Sequence, residues 1–190
     1  LVTYLESNPD IAFVYSNCKR VDETGAITGD MQGGPPAELR FRNCVGACFL
    51  YRRKVYDCIG DYNVNAELSE DYEYWLRVYL RFCMAFLNEA LYYYRDHHTS
   101  LSSVNYGYYR ACRVAVRVRK RLLKIPRKEF RKQMAHWFIA EAFDSYTQGD
   151  LINAWQKGLS GIVYNPASLQ NRGLLKLIFG ALAGKPDLLT

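Results

Sequence analysis

The first hundred residues alternate between apolar runs and clusters of turn-forming residues. The run "IAFVYS" is almost continuously apolar, which is typical of a strand buried in a parallel sheet. The run "NCVGACFLYRR" predicts a second buried strand, and "CMAFLNEALYYYRDH" predicts an extended, aromatic-rich segment. Between the first two strands, the Gly- and Pro-rich stretch "VDETGAITGDMQGGPP" predicts a hairpin tip that leads into a loop.

Helices are predicted between the second strand and the extended segment. The stretch "KVYDCIGDY" predicts a short helix that ends at Gly60, and "SEDYEYWLRVYLRF" predicts a longer one that Ser69 can cap. Strands and helices in this order predict an α/β fold for the front of the chain.

After Ser103 the pattern changes to helical periodicity that continues to the end of the chain. Pro126, the pair Gly149-Asp150 and the pair Asn165-Pro166 divide this part into segments. We therefore predict an α/β domain over residues 1–103 and an all-α region over residues 104–190.

One stretch of the helical region, "WFIAEAFDSYTQGDLINAWQKGLSGIVYNP", resembles a tetratricopeptide-type helix pair. Ala142, Gly149, Ala154 and Pro166 fall at the consensus spacing, but Gly158 and Gly161 stand where a larger residue and an alanine are usual. A single unit of this kind cannot bury its own apolar face. We therefore expect it to pack on neighbouring helices rather than to act as a peptide-binding repeat.

The composition is that of a globular protein, with 49% hydrophobic and 23% charged residues. The six cysteines form no C-x-x-C pair, so they match neither the usual zinc pattern nor a disulfide scaffold, and buried free thiols in a reducing compartment are expected. No signal peptide is visible, and the longest apolar stretch is too short to span a bilayer and contains Lys176. These features together predict a cytoplasmic location.

The net charge of +6 fits a polyanionic partner, and it also fits plain solubility. Much of the positive charge lies in residues 110–133. One interpretation is a helix with a solvated cationic face above buried Val114, Val118, Leu122 and Ile125. The other is contact with an anionic lipid surface or an acidic acceptor, which would make the protein membrane-peripheral. Nucleic acid is not expected, because the stretch lacks a recognised binding fold and interleaved stacking aromatics.

Two adjacent carboxylates, Glu70 and Asp71, stand at the start of the predicted helix in "NAELSEDYEYWLRVYL". Acids in the first turn of a helix are favoured by the helix dipole, and Glu73 and Arg77 form an ordinary i,i+4 pair. The other interpretation is catalytic, because a general base must be held rigidly at the edge of a cleft. The loop "DYNVNAEL" just before the pair could border such a cleft.

The stretch "YYYRDHHTSLS" gathers an arginine, two histidines and several hydroxyl groups at the end of the extended segment. Groups of this kind bind phosphate or a metal–diphosphate through charge-assisted hydrogen bonds. The alternative is an ordinary polar loop that leaves a sheet.

Taken together, the order and spacing of these motifs over residues 1–103 resemble the family-2 glycosyltransferases, which have the GT-A fold. The matching residues are Gly46, Ala47 and Arg52; Gly60 and Tyr62; Glu70, Asp71, Trp75 and Arg77; and Tyr94, Arg95, His97, Ser100 and Ser102. The resemblance implies a partial GT-A-like mixed sheet with helices in the front domain.

The resemblance also implies an inverting transfer of a sugar from a nucleotide-diphospho-sugar to an acceptor hydroxyl, as in the synthesis of cell-surface polysaccharides or glycans. Asp71 would be the base, with Glu70 beside it or in contact with the acceptor. Gly46 and Ala47 would line the floor of the acceptor site. Arg95 and, as a metal ligand, His97 would lie near the diphosphate, and Trp75 and Ser100 would contact substrate.

The nucleotide-binding strands and the D-x-D metal motif of that family are not found in this sequence. We therefore expect the chain to be a piece of a longer protein, with the donor site and the aspartate ligands of a divalent metal, Mn or Mg, outside it. Alone it would be inactive, and a cut domain could self-associate. The acceptor could be a glycan, a lipid-linked sugar or a protein. The alternative function is a non-catalytic helical interaction module with a degenerate α/β part.

Overall fold

The computed structural model describes residues 1–66, 68–96 and 105–184, with only the backbone of Asn105 and Tyr106. The chain divides into two compact units, Leu1–Val104 and Asn105–Thr190. The described part of the first unit is mixed α/β, and that of the second is helical. No described helix has both the length and the apolar character that a bilayer crossing requires.

The first unit is built on a four-stranded mixed sheet. Its elements in chain order are helix α1 (Val2–Ser7), strands β1 (Ile11–Val21), β2 (Ile27–Met31) and β3 (Phe49–Tyr51), helices α2 (Arg53–Ile59) and α3 (Glu70–Tyr79), and strand β4 (Cys83–Arg95). Two short 3-10 helices, Pro36–Arg40 and Val64–Ala66, lie in the connecting loops.

Strand β1 is the centre of the sheet, and residues 12–18 are all buried. It pairs with β4 in parallel along its whole length, which confirms the buried parallel strand predicted from "IAFVYS". On its opposite edge, β2 pairs with residues 18–21 and β3 pairs with residues 13–15, both antiparallel. Two short strands therefore lie one after the other along a single edge of β1.

The hairpin predicted after β1 is confirmed. The Asp22 carboxylate organises its tip, where Oδ1 accepts hydrogen bonds from the backbone N–H of Thr24 at 2.8 Å and of Ala26 at 3.0 Å. This is the Asx-type turn chemistry that makes aspartate frequent in turns.

The second predicted strand is mostly wrong, because only Phe49–Tyr51 of "NCVGACFLYRR" is a strand. The physical reason is the shared edge of β1. Its residues 18–21 already pair with β2, so residues 43–47 have no strand edge to join. The chain begins to pair with β1 at Cys48, whose carbonyl accepts from the N–H of Ser16 at 3.0 Å, and β3 continues this pairing. Residues 32–48, which we call the edge loop, contain the 3-10 helix Pro36–Arg40 but no strand.

Helices α2 and α3 form where the sequence predicts them. Helix α2 ends at Gly60, whose φ of +73° suits a glycine. Helix α3 begins after Ser69, but the Ser69 side chain makes no capping hydrogen bond, so that detail is wrong. Trp75 anchors α3 on the sheet, with ring centroids 5.0 Å from Phe13 and 4.6 Å from Phe49.

The second unit consists of α4 (Asn105–Leu122), α5 (Arg127–Thr147), α6 (Leu151–Tyr164), a 3-10 helix (Pro166–Gln170) and α7 (Arg172–Leu182). Breaks fall where Pro126, Gly149 and Asn165-Pro166 predict them. The shared core of α5, α6 and α7 contains Ala142, Tyr146, Ala154, Leu174, Leu177 and Ile178.

The two glycines that depart from the tetratricopeptide consensus lie where α6 touches its neighbours. A Cβ on Gly161 would lie 2.5 Å from Cγ1 of Ile139 in α5, and a Cβ on Gly158 would lie 2.8 Å from Cγ1 of Ile178 in α7. Helix α6 therefore packs closely on both neighbours at positions that only glycine fills without displacement.

A cluster of charges is buried between the helices of the second unit. The carboxylate of Glu141, 2% exposed, contacts Arg113 and lies 3.1 Å from Nζ of Lys157. The Arg113 guanidinium lies 4.5 Å from the centroid of the Phe138 ring. Burying such charges is tolerated only because they are paired.

All six cysteines are free thiols. Cys18, Cys44 and Cys48 are buried as predicted, but Cys58 and Cys83 are exposed.

Candidate functional site

A cavity of about 620 Å³ lies in the first unit, between the edge loop and the start of α3. Its walls come from β2, the edge loop, β3, the loop before α3, α3 itself and the end of β4. The lining residues are Met31, Gln32, Gly33, Asn43, Cys44, Val45, Gly46, Ala47, Phe49, Tyr62, Glu70, Asp71, Trp75 and Tyr94.

Polar side chains on β1 fix the first part of the edge loop. The Asn17 amide accepts from the N–H of Gly33 at 2.8 Å and donates to Oδ1 of Asn88 on β4 at 2.9 Å. The Tyr15 hydroxyl donates to the carbonyl of Gly34 at 2.5 Å. Because Tyr15 and Asn17 are buried on the central strand, these bonds anchor the loop to the core of the unit.

One wall of the cavity is aromatic. The Tyr62 ring lies 6.4 Å from Trp75 at an interplanar angle of 82°, and 4.7 Å from Tyr74. Trp75 is 2% exposed, whereas Tyr62 is 44% exposed. The wall thus combines a fixed indole with a tyrosine that a ligand can reach, which is typical of small-molecule sites.

Two carboxylates, Glu70 and Asp71, stand at the opening of the cavity at the N-terminus of α3. Oδ2 of Asp71 accepts from Nδ2 of Asn43 at 3.0 Å, and Oδ1 accepts from the N–H of Tyr72 at 2.5 Å. Glu70 is exposed, whereas Asp71 is half-buried. Asp71 is therefore the acid that is held in place.

The pKa of Asp71 is raised above its ordinary value, chiefly because burial disfavours the charged form. The neighbouring charge of Glu70 adds to the rise, and the hydrogen bonds from Tyr72 and Asn43 oppose it. A carboxylate whose pKa moves toward neutrality is a better proton acceptor than an ordinary surface acid.

Arg77 fixes the loop that carries Tyr62. Its guanidinium donates to Oε2 of Glu73 at 2.9 Å, to the carbonyl of Ile59 at 2.6 Å and to the carbonyl of Asp61 at 2.8 Å. Glu73 is 2% exposed, so the i,i+4 pair predicted on α3 is present and is largely buried. Arg77 thus lies outside the cavity, and its hydrogen bonds to the carbonyls of Ile59 and Asp61 position the backbone next to Tyr62.

The structure brings five of the predicted site residues together, because Gly46, Ala47, Glu70, Asp71 and Trp75 all line the cavity. Gly46 and Ala47 lie in the edge loop rather than in a strand. A Cβ on Gly46 would lie 3.4 Å from Sγ of Cys18, an ordinary contact, so this glycine is not required for packing.

Arg95 does not join them. Its guanidinium donates to the carbonyl of Glu23 at 3.0 Å, and the preceding residue, Tyr94, lines the cavity instead. Successive side chains of a strand point to opposite faces, so Tyr94 and Arg95 cannot both reach the same site. His97 and Ser100 lie outside the described residues.

Asn43 is a lining residue that no sequence motif indicates, whereas Tyr94 belongs to a matched motif but was given no role in the site. Strand alternation at the end of β4 could have indicated Tyr94. No sequence pattern indicates that Asn43 would meet Asp71, because the edge loop brings together residues 28 positions apart.

The described residues contain no group of three His, Cys, Asp or Glu side chains that could hold a metal ion. The metal implied by the resemblance therefore has no ligand set among the described residues.

Comparison of the chain with protein-family models and with curated proteins found no match. The assignment of the site consequently depends on its geometry and on the motifs in its walls.

Proposed function

We propose that the cavity is the acceptor site of an inverting glycosyltransferase and that Asp71 is its general base. The acceptor hydroxyl gives its proton to the Asp71 carboxylate while its oxygen attacks the anomeric carbon of a nucleotide-diphospho-sugar. The bond from that carbon to the diphosphate oxygen breaks, and the electron pair leaves with the diphosphate. Attack from the face opposite the leaving group inverts the configuration of the sugar.

The observation that carries this proposal is the position of Asp71 at the opening of an aromatic cavity. One carboxylate oxygen is tied to Asn43 and the other to the backbone of its own helix. Such a carboxylate cannot rotate away from a bound hydroxyl, and positioning of this kind is a large part of general-base catalysis. Its raised pKa supports the same role.

Glu70 would contact the acceptor rather than take the proton. It lines the cavity but is exposed, so its charge remains well solvated. The aromatic wall of Tyr62 and Trp75 would take the apolar face of an acceptor sugar ring, while the carboxylates and Asn43 meet hydroxyl groups. Cell-surface polysaccharide or glycan synthesis is the setting in which this chemistry is expected.

The donor half of the site is expected outside residues 1–190, because the D-x-D motif is not in this sequence. The chain alone should therefore bind acceptor saccharides weakly and transfer nothing. The alternative, a non-catalytic helical interaction module, gives no role to an intact cavity with a fixed carboxylate.

Saccharide binding by the 190-residue chain tests the proposal. Saturation-transfer NMR with a panel of mono- and oligosaccharides should show contacts that weaken strongly in Ala47→Trp, which places a large side chain in the wall of the cavity, and persist in Asp71→Asn. Ala37→Trp is the matched control, because Ala37 is also an exposed alanine but does not line the cavity. The proposal is wrong if no saccharide binds, or if both tryptophan variants bind as the wild type does.

A further inference from the structure

One end of the helical unit is strongly basic. It comprises the end of α4, the turn after it, the start of α5 and the stretch from the end of α6 to the start of α7, and we call it the basic end (residues 120–132 and 163–172). It contains eight lysines and arginines and a single acid, Glu129. The cations are Lys120, Arg121, Lys124, Arg127, Lys128, Arg131, Lys132 and Arg172.

Contacts join the start of α5 to the end of α6 and hold the turn between α4 and α5. Nη2 of Arg131 donates to the carbonyl of Val163 at 2.7 Å, which joins the start of α5 to the end of α6. Nearby, the Phe130 and Tyr164 rings lie with centroids 6.3 Å apart. Nζ of Lys120 donates to the carbonyl of Ile125 at 2.7 Å, which holds the turn between α4 and α5.

The surface also presents apolar side chains to solvent. Val163 is 70% exposed and Leu169 is 52% exposed. The Val163 carbonyl accepts from Arg131, and Leu169 stands three residues before Arg172 in the sequence. Lys124, Lys128 and Lys132 are exposed as well. A dissolved anion would neutralise the charges at the basic end, but it would leave the side chains of Val163 and Leu169 exposed to water.

The charge is also divided unequally along the chain. Residues 1–104 contain 10 basic and 14 acidic side chains, whereas residues 105–190 contain 15 basic and 5 acidic ones. The first unit is therefore net acidic, and the helical unit carries all of the excess positive charge. A negatively charged partner is therefore attracted to the helical unit and not to the first unit.

We propose that the basic end binds an anionic phospholipid surface. The cations meet the lipid headgroups, and Val163 and Leu169 enter the boundary between headgroups and acyl chains. A nucleic-acid backbone would satisfy the charges equally well, but it offers no apolar environment to the two side chains. The patch also lacks an exposed ring for base stacking among its described residues, since Phe130 packs on Tyr164. This inference does not depend on the proposed function.

Vesicle co-sedimentation of the 190-residue chain tests it. We expect binding to phosphatidylcholine vesicles that contain about one third phosphatidylserine to exceed binding to phosphatidylcholine alone by at least about tenfold. Binding should fall steeply between about 0.1 M and about 1 M salt, because screening shortens the reach of the surface potential.

The variant Lys128→Glu/Lys132→Glu should lose at least about tenfold in binding to the anionic vesicles, since each reversed charge then repels the surface. Arg40→Glu/Lys54→Glu is the matched control, because it changes the net charge equally but lies in the first unit. Val163→Ser should weaken binding about two- to fivefold without changing the response to salt, as expected for a lost apolar contact.

Three results would overturn the proposal. They are equal binding to neutral and anionic vesicles, equal losses in the two double variants, and preferential binding of single-stranded RNA when RNA and anionic vesicles compete. Far-ultraviolet circular dichroism of each variant establishes that the helices are intact, so that a loss of binding reports on the surface.

Discussion

The side chain of Asn43 donates a hydrogen bond from Nδ2 to Oδ2 of Asp71 at 3.0 Å. Oδ1 of the same amide accepts from the N–H of Val45 at 3.3 Å, so Asn43 is held by its own loop while it holds the carboxylate. The edge loop and the first turn of α3 are thereby joined at the opening of the cavity.

In a protein that includes the donor half, Asp71→Asn should lower the rate of sugar transfer by about 10²–10⁴-fold, because the amide cannot accept the hydroxyl proton. Donor binding should remain almost unchanged, since Asp71 lines the cavity proposed to bind the acceptor. Glu70→Gln is the paired control and should lose much less, because Glu70 is exposed. Transfer by Asp71→Asn at the wild-type rate would contradict the assignment.

Asn43→Ala should raise the pKa of Asp71 further, because it removes a hydrogen bond that stabilises the charged carboxylate. A general base works in its ionised form, so the acidic limb of the kcat/KM profile should move to higher pH. In the 190-residue chain, carboxyl NMR titration of Asp71 should show the same direction. Asn65→Ala is the control, because Asn65 is exposed in the 3-10 helix Val64–Ala66 and does not line the cavity. It should change neither the pH profile nor the pKa of Asp71, and a shift equal to that of Asn43→Ala would exclude a specific role for Asn43.

Asp71→Asn should also make the fold more stable near neutral pH. The pKa of Asp71 is higher in the folded chain than its ordinary value of about 3.9, so ionisation favours unfolding and stability falls as pH rises through this interval. The gain in the free energy of unfolding from Asp71→Asn should therefore be largest above the folded-state pKa of Asp71, and it should vanish below about pH 4. Urea unfolding at several pH values measures it, and a variant less stable than wild type at neutral pH would refute the sign.

Arg77→Ala should destabilise the first unit by about 3 kcal/mol, because it leaves the buried Glu73 carboxylate without its cation and two loop carbonyls without donors. Arg53→Ala removes another i,i+4 pair, Arg53–Asp57, whose side chains are 81% and 57% exposed. That control should cost no more than about 0.5 kcal/mol. Chemical denaturation compares the two, and similar losses would mean that the Glu73–Arg77 pair acts as a surface pair.

In the helical unit, Gly161→Ala should cost about 1–3 kcal/mol, since the added methyl group overlaps Ile139. Adding Ile139→Ala should give a double variant that is less destabilised than the sum of the two single changes. Gly29→Ala is the control, because a Cβ there has open space around it. Strict additivity at positions 139 and 161 would show that the close contact has no energetic consequence.

The parts of the fold that were predictable from sequence are those set by local pattern. The apolar run of β1, the Asp22 turn, Gly60 after α2 and Pro126 before α5 each carry their own signal. The conformation of residues 43–47 has no such local signal, because it depends on which strand already pairs with the edge of β1. An apolar stretch becomes a strand only where a strand edge is available.

The candidate site likewise contains residues that sequence motifs indicate and residues that only the tertiary structure brings together. The Glu70–Asp71 pair and the small residues Gly46 and Ala47 are visible as motifs, and the structure places them around one cavity. The resemblance placed Arg95 near the diphosphate, and strand alternation separates its side chain from that of Tyr94, which lines the cavity. The Asn43–Asp71 contact is purely tertiary, so no one-dimensional pattern could contain it.

The two short strands on one edge of β1 also have a consequence for how this protein can vary. The edge loop leaves the sheet at Met31 opposite Cys18 and returns at Phe49 opposite Tyr15, so both of its ends are fixed on the same strand only three residues apart. A segment held in this way can change in length and composition while the sheet beneath it keeps its register. The part of the cavity wall that the edge loop supplies is therefore a target for loop grafting, provided that Asn43 is kept to hold Asp71. Under the proposed function, such grafts should change the acceptor that the cavity binds.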